Sequence, residues 1–213
     1  MACNDLPMRL RIFIYGEDGF TNIMLANSLS NLGLDVIGEN ESEIVALNQI
    51  TRQLPDVVVL NVDLGKTKAI ELARLLRKTF PDMGIVLTTK SEDIRLIGID
   101  KKKLPLGVIV EQRVRHNGLD NLKIAIERAR EYTKCQPDFH KCNYLSDVQI
   151  ETFRLMAEGN ANSEIARVRF VSEKSVEQML ARIALSLGIV FDHKQNSRIR
   201  LLNSYYELVN GSK

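Results

Sequence analysis

"PDVVVLNVDLGKT", residues 55–67, changes character at its middle. Val57 to Leu60 is an apolar, β-branched run that suits a strand buried on both faces. It stops abruptly at Asn61, Asp63 and Gly65-Lys66-Thr67. A buried parallel strand delivers polar side chains in this way to the rim of its sheet.

Similar short runs flank it: "RLRIFIY" (9–15), "LDVIG" (34–38), "GIVLTT" (84–89) and "LGVIVE" (106–111). Between them lie stretches with helical spacing. Ile23, Leu25, Leu29 and Leu32 form one stripe, Ile70, Leu72, Leu75 and Leu76 a second, and Leu122, Ile124, Ala125 and Ala129 a third. Five strands alternating with five helices predict an α/β domain over 8–132, a doubly wound parallel sheet. Ligands of such sheets bind at the carboxyl ends of the strands. Those ends are Gly16-Glu17-Asp18, Asn61 with Asp63, Thr88-Thr89 and Glu111.

Residues 133–143, "TKCQPDFHKCN", are polar, contain Pro137 and break the helical period, which predicts a linker. From 144 to 213 the strand-like runs disappear. "LSDVQIETFRLMAEG" spaces Leu145, Ile150, Phe153, Leu155 and Met156 as a helix, with Ser146 at its N-cap and Gly159 just past its end. "NSEIARVRF", "SEKSVEQMLARIALSLG" and "SRIRLLNSYYEL" predict three more helices. The second of these has Ser172 as N-cap and Val176, Leu180, Ile183 and Leu187 on one face.

The 213 residues have room for one large or two small domains. Apolar residues make up 45% and charged ones 26%, and the net charge is +2. That balance gives no strong electrostatic argument for nucleic acid. No apolar run approaches the ~20 residues of a membrane span, and the start of the chain lacks a signal-peptide pattern. Three cysteines, Cys3, Cys135 and Cys142, make no disulfide framework, so a reducing cytoplasm is expected.

Several motifs fall short of the chemistry they suggest. A phosphate-cradling loop needs a glycine five residues before Gly65, where this chain has Leu60 in the apolar run. Gly65-Lys66-Thr67 therefore reads as a surface turn whose threonine starts a helix. "YGEDGF" lacks the G-x-G spacing of a dinucleotide turn. Cys135, His140 and Cys142 match no ordinary zinc spacing. No serine has a recognisable His and acidic partner. Neither an enzyme activity nor a cofactor or metal is expected.

The strand-end constellation over 8–132 resembles the receiver domain of bacterial response regulators. The region from Leu145 to Ile189 resembles the helix-turn-helix domain of the LuxR/NarL group. It does so through Leu145-Ser146, Ala157-Glu158-Gly159, Glu164-Ile165-Ala166, Ser172, Lys174-Ser175-Val176 and Leu187-Gly188-Ile189. Together the resemblances cover about residues 8–205. Receivers hold Mg²⁺ with two acidic residues after the first strand and an aspartate after the third, and that aspartate takes a phosphoryl group. A Thr or Ser after strand four and a Lys after strand five read it. Here the acidic pair falls on Gly16 and Glu17, the acceptor on Asn61, the hydroxyl on Thr88 and the lysine on Glu111. An amide does not form an acyl phosphate, Gly16 offers no metal ligand, and Glu111 repels a phosphate. The resemblance thus implies a degenerate receiver. Asp63 lies on the same side of the strand as Asn61 and with Glu17 and Glu39 makes a weak cation site, or else is a solvated rim carboxylate.

In the resembling family the third helix of the second domain enters the major groove. That places Lys174, Ser175, Gln178 and Arg182, with Ser172 at the cap, toward DNA. Glu177 and Met179 depart from the family's usual residues. From 143 to 213 there are nine Lys/Arg and eight Asp/Glu, so a single copy has little phosphate attraction. The family pairs two copies through the last helix, which places Ile199, Leu202 and Tyr205 at a homodimer contact. The implied function is a sequence-specific, phosphorylation-independent transcription regulator, with another regulator or a small-molecule signal acting at the receiver. The alternative is an interaction module that dimerises with or titrates a related regulator without binding DNA.

Overall fold

The structure is a computed structural model that describes residues 9–64, 68–113, 117–131, 133, 138–139, 145–189 and 196–211. Gly65-Lys66-Thr67, the three cysteines, His140 and most of the expected linker lie outside the described residues. The described residues fall into two compact units. One lies within Met1–Thr89 and Lys101–Phe139, the other within Lys90–Asp100 and His140–Lys213.

The first unit is the expected parallel sheet. Its strands are β1 (Arg11–Tyr15), β2 (Asp35–Asn40), β3 (Val57–Val62), β4 (Gly84–Thr89) and β5 (Val108–Gln112). They lie in the order β2-β1-β3-β4-β5, all parallel. A two-residue strand β6 (Asp138–Phe139), inside the expected linker, pairs with β5 and extends the sheet to six. Every residue of β3, β4 and β5 is buried, as an apolar run covered on both faces requires.

Helices α1 (Gly19–Asn31) and α4 (Gly118–Ala129) share one face of the sheet. Leu25, Leu29, Leu122, Ile126 and Ala129 pack there against Ile12, Ile14, Val57, Val59 and Val86. Alternation along the strands turns Phe13, Tyr15, Val58 and Leu60 to the opposite face. There α2 (Glu43–Gln53) packs on β1 and β2, and α3 (Lys68–Thr79) on β3. Each expected helical stripe contains one exposed member: Ile23, Leu75 and Ile124. Each stands one or two positions from a buried neighbour, and 100° per residue carries it off the buried face.

The second unit contains α5 (Asp147–Ala157), α6 (Asn162–Arg169), α7 (Glu173–Ser186) and α8 (Ser197–Asn210). Ser146 and Gln149 close α5 with a reciprocal capping box. At its other end Gly159 takes a left-handed φ of 94°, the conformation that favours glycine there. Phe153, Met156, Ile165, Val176, Leu180, Ile183 and Leu201 are buried in this unit.

One expectation fails outright. Five helices were expected between and after the strands, but no α-helix joins β4 to β5. Residues 90–100 form turns that belong to the second unit, and only a 3-10 turn (Lys101–Lys103) follows. Local hydrogen bonds explain the lost helix. Asp93 N–H donates to Ser91 Oγ, Asp93 Oδ1 accepts from Arg95 N–H at 2.9 Å, and Gly98 adopts φ 80°. Such side-chain bonds compete with helical ones, and a left-handed glycine ends a helix. Ile94, Leu96, Ile97 and Ile99 are all buried, which one face of an isolated surface helix cannot achieve.

The entry to β5 depends on a close backbone approach. Gly107 has φ 70°, and a Cβ there would lie 2.3 Å from the Thr133 carbonyl oxygen. Gly107→Ala therefore adds both backbone strain and a clash with main chain. A stability loss of at least about 2 kcal/mol is expected in urea denaturation.

Candidate functional site

Chain direction across the sheet reverses between β1 and β3, because β1 lies between β2 and β3. In such a sheet the crevice at the carboxyl ends of these two strands is where ligands bind. Register builds a row of side chains there. Tyr15 pairs with Leu60, so Gly16 and Asn61 end adjacent strands. Asn61 pairs with Thr88, and Thr88 with Glu111. Gly16, Asn61, Thr88 and Glu111 therefore stand side by side, and Asn61, Thr88 and Glu111 are buried. Glu17 is half-buried.

The space a carboxylate at position 16 would use is filled. A Cβ on Gly16 would lie 2.6 Å from both Asn22 Oδ1 and Asn61 Cβ. Asn22 is fully buried on α1 and donates through Nδ2 to Gly16 O at 2.7 Å and Asn40 O at 3.2 Å. Those two carbonyls fix its amide so that Oδ1 faces Asn61. Asn22 Oδ1, Asn61 Oδ1 and Thr88 Oγ1 find no hydrogen-bond partner among the described residues. Asp18 is taken up as the α1 cap, accepting from Thr21 N–H at 3.4 Å and Thr21 Oγ1 at 2.5 Å. A hard dication needs several anionic or water oxygens around it. The neutral amides packed against Gly16 do not fit one. Among the described residues no three His, Cys, Asp or Glu come together as metal ligands.

Asp63 is ion-paired rather than freely solvated, and among the described residues it joins no group of three candidate metal ligands. Arg113, just past β5, donates from Nη2 to Asp63 Oδ1 at 2.8 Å, and both side chains are largely shielded. Burial lowers the Arg113 pKa from its usual range, while Asp63 and then Asp18 act to raise it. Arginine nonetheless stays charged at any ordinary pH. Arg113 was missed in sequence because it lies two residues past the expected lysine position. Asp63 lies two residues past the expected acceptor. The same two-residue slip on two strands of a parallel sheet keeps the pair in reach.

In the second unit, α6 and α7 form a helix-turn-helix. Phe170 ends α6 in the left-handed conformation with φ 53°, and Val171 N–H donates to Ala166 O at 3.0 Å. Ser172 then caps α7, accepting from Ser175 N–H at 3.2 Å, with the two hydroxyls 2.8 Å apart. Val176, Leu180 and Ile183 turn inward. Lys174, Gln178 and Arg182 are exposed and recur every four residues, about 6 Å apart along the axis. Ser172 and Ser175 are exposed too, but their hydroxyls are committed to the cap.

The expected dimer face of α8 divides. Ile199 is 54% exposed and Leu202 partly so. Tyr205 is 3% exposed and cannot join a contact made by the open face. Its hydroxyl donates to Leu96 O at 2.5 Å, and its ring meets Phe153 edge-on at 5.2 Å. Burial pushes its pKa up to about 12. The missing cover, residues 90–100, comes from far away in the chain, so the spacing of α8 gave no sign of it.

No family model matches the chain. DevR/DosR of Mycobacterium tuberculosis, a DNA-binding transcriptional activator, is 29% identical over 170 residues, 73% of this chain and 77% of that protein. EvgA of Escherichia coli K12, also a DNA-binding transcriptional activator, is 23% identical over 75% of this chain and 82% of its own length. A transcriptional regulatory protein of Bacillus subtilis, YhcZ, is 26% identical over 73% and 78%. Among solved structures, the two-component response regulator RcsB in complex with DNA superposes with a TM-score of 0.55. It is 21% identical and covers 94% of this chain and 99% of its own. A structure of two RcsB dimers on two parallel DNAs gives 0.52 at 19% identity. The chain has the fold of two-component response regulators and is similar in sequence to transcription regulators.

Proposed function

We propose that the chain is a sequence-specific DNA-binding transcription regulator of the LuxR/NarL response-regulator class that works without aspartyl phosphorylation. The observation that carries this reading is α7. One face is locked into the unit by Val176, Leu180 and Ile183, and the opposite face offers Lys174, Gln178 and Arg182 in a line. A helix so held presents a rigid row to the major groove, with Gln178 suited to adenine and the two cations to guanine or phosphate. The similarity to DevR/DosR and EvgA supports it. The near-neutral charge of the region means that two copies acting together supply the affinity, through effective concentration.

A second reading has one observation in its favour. Phe170, at the α6–α7 turn, is 95% exposed, and Leu185 on α7 is 81% exposed. Large apolar side chains presented so openly suit a protein partner. On that reading the unit titrates a related regulator without touching DNA. Filter binding of the full chain to genomic fragments across a salt series separates the two. On the first reading binding is salt-dependent, and Lys174→Ala and Arg182→Ala each lower the slope against log salt by about 1. Gln178→Ala relaxes the preference for bound sequences by about 1–3 kcal/mol. Binding that is absent at low salt removes the first reading.

Phosphorylation independence rests on the rim. Asn61 stands at the acceptor position, Gly16 has no room for a ligand, and Arg113 already neutralises the nearest carboxylate. Acetyl phosphate with Mg²⁺ is expected to leave the intact mass unchanged in wild type and in Asn61→Asp. Adding Gly16→Asp to Asn61→Asp is expected to destabilise the chain rather than restore transfer, since the new side chain must displace Asn22 and Asn61. A labile phosphoryl adduct on wild type, lost in Asp63→Ala, would show that the Arg113 pair opens and that Asp63 is the acceptor.

A further inference from the structure

We propose that the hollow between α6, α7 and α8 is a binding site for a small zwitterion with an aliphatic body, of the class of the branched amino acids. All three helices belong to the second unit. The cavity holds about 240 Å³. An apolar cavity of about 150 Å³ takes benzene, so this one has room for roughly ten heavy atoms. Its walls divide by chemistry. Leu180, Ala181 and Leu201 supply the apolar part, and the small side chain of Ala181 keeps the hollow open. Glu177, one turn before Ala181 on α7, and Arg198, in the first turn of α8, bring opposite charges to it.

These two charges do not satisfy each other. Arg198 is turned toward the start of α6, where Nη1 donates to Asn162 Oδ1 at 3.1 Å and Nη2 to Asn160 O. Both acceptors are neutral, and they use two of the five guanidinium N–H donors. Among the described residues Arg198 has no carboxylate partner, and Glu177 has neither a hydrogen bond nor an ion pair. Swinging Arg198 to Glu177 would cost both bonds at α6. Asn162 accepts through Oδ1, which leaves its Nδ2 as a further donor beside the guanidinium. A carboxylate suits these donors, an ammonium suits Glu177, and a hydrocarbon body removes Leu180, Ala181 and Leu201 from water. A ligand with one charge leaves the opposite wall unmatched, whereas a zwitterion answers all three walls. The cavity lies on the flank of α7 next to the row of Lys174, Gln178 and Arg182. An occupant therefore bears on the helix assigned above to DNA, while its own binding requires no DNA.

The test titrates the full chain without DNA and reads backbone amide shifts by NMR. The ligand is L-leucine, and 3-methylbutylamine and 4-methylpentanoate carry the same body with one charge each. L-leucine is expected to give saturable shifts around Ala181 and Arg198, with a dissociation constant on the order of 1 mM. Each single-charge analogue is expected to bind about fivefold more weakly. Glu177→Gln, at an exposed position, is expected to weaken L-leucine about fivefold and to leave 4-methylpentanoate unchanged. Ala181→Leu fills the hollow and is expected to abolish the shifts of all three compounds. No saturable shift with L-leucine up to tens of millimolar overturns the proposal. Tight binding of 4-methylpentanoate equal to that of L-leucine also overturns it, because Arg198 is then an anion site and Glu177 has no part. Equal loss of all three ligands in Glu177→Gln, or shifts that persist in Ala181→Leu, overturn it too, since recognition then lies in general packing or elsewhere.

Discussion

A buried backbone that is neither helix nor strand must find partners for its N–H and C=O groups one by one. Residues 90–100 meet this constraint through bonds to Leu208 and Tyr205 and through local bonds that end on Asp93, Ile94 and Arg95 carbonyls, and the form of the second unit follows. Four short helices alone would leave the aromatic edge of α8 facing water. With Leu96 against Tyr205, and Tyr205 against Phe153, that edge becomes core. The Arg95 guanidinium adds a charged junction between Asp93 of the same segment, whose side chain is fully buried, and the α5 N-terminus. A carboxylate so buried is tolerated only when paired and hydrogen-bonded, as it is here. The unit is therefore discontinuous in sequence, and its stability draws on a segment that the chain reaches between β4 and β5.

The rim of the parallel sheet is a row of four strand-end residues. Gly16, Asn61, Thr88 and Glu111 occupy the row that register imposes. Two amides pack together where a side chain from position 16 would project. The local positive charge is covalent, supplied by Arg113 and compensated by Asp63.

The helical unit shows why fold resemblance and charge point with unequal force. Its α7 is capped by Ser172 and seated on Val176, Leu180 and Ile183, with Lys174, Gln178 and Arg182 outward. Yet nearby arginines are occupied. Arg167 pairs with Glu164, and Arg169 bonds to Thr152 and lies near Glu151. On the outer face of α7 the positive charge lies on Lys174 and Arg182.

The sequence alone determined what depends on local period and on strand ends. Val57–Val62 and its sister runs are apolar enough to be strands in any setting. Parallel alternation then fixed which strand-end residues share a row, and the capping signals at Ser146 and Ser172 fixed where α5 and α7 begin. Tertiary structure decided what depends on distant partners. The Asp63–Arg113 pair joins residues 50 positions apart, and Tyr205 is buried by Leu96, 109 positions away. Ile94, Leu96, Ile97 and Ile99 have no period that announces their burial, since what makes them buried is the surface they meet. Hydrophobic burial is non-directional and blind to chain separation. A pattern within one segment therefore tells which residues seek cover, and only the assembled fold supplies the cover they find.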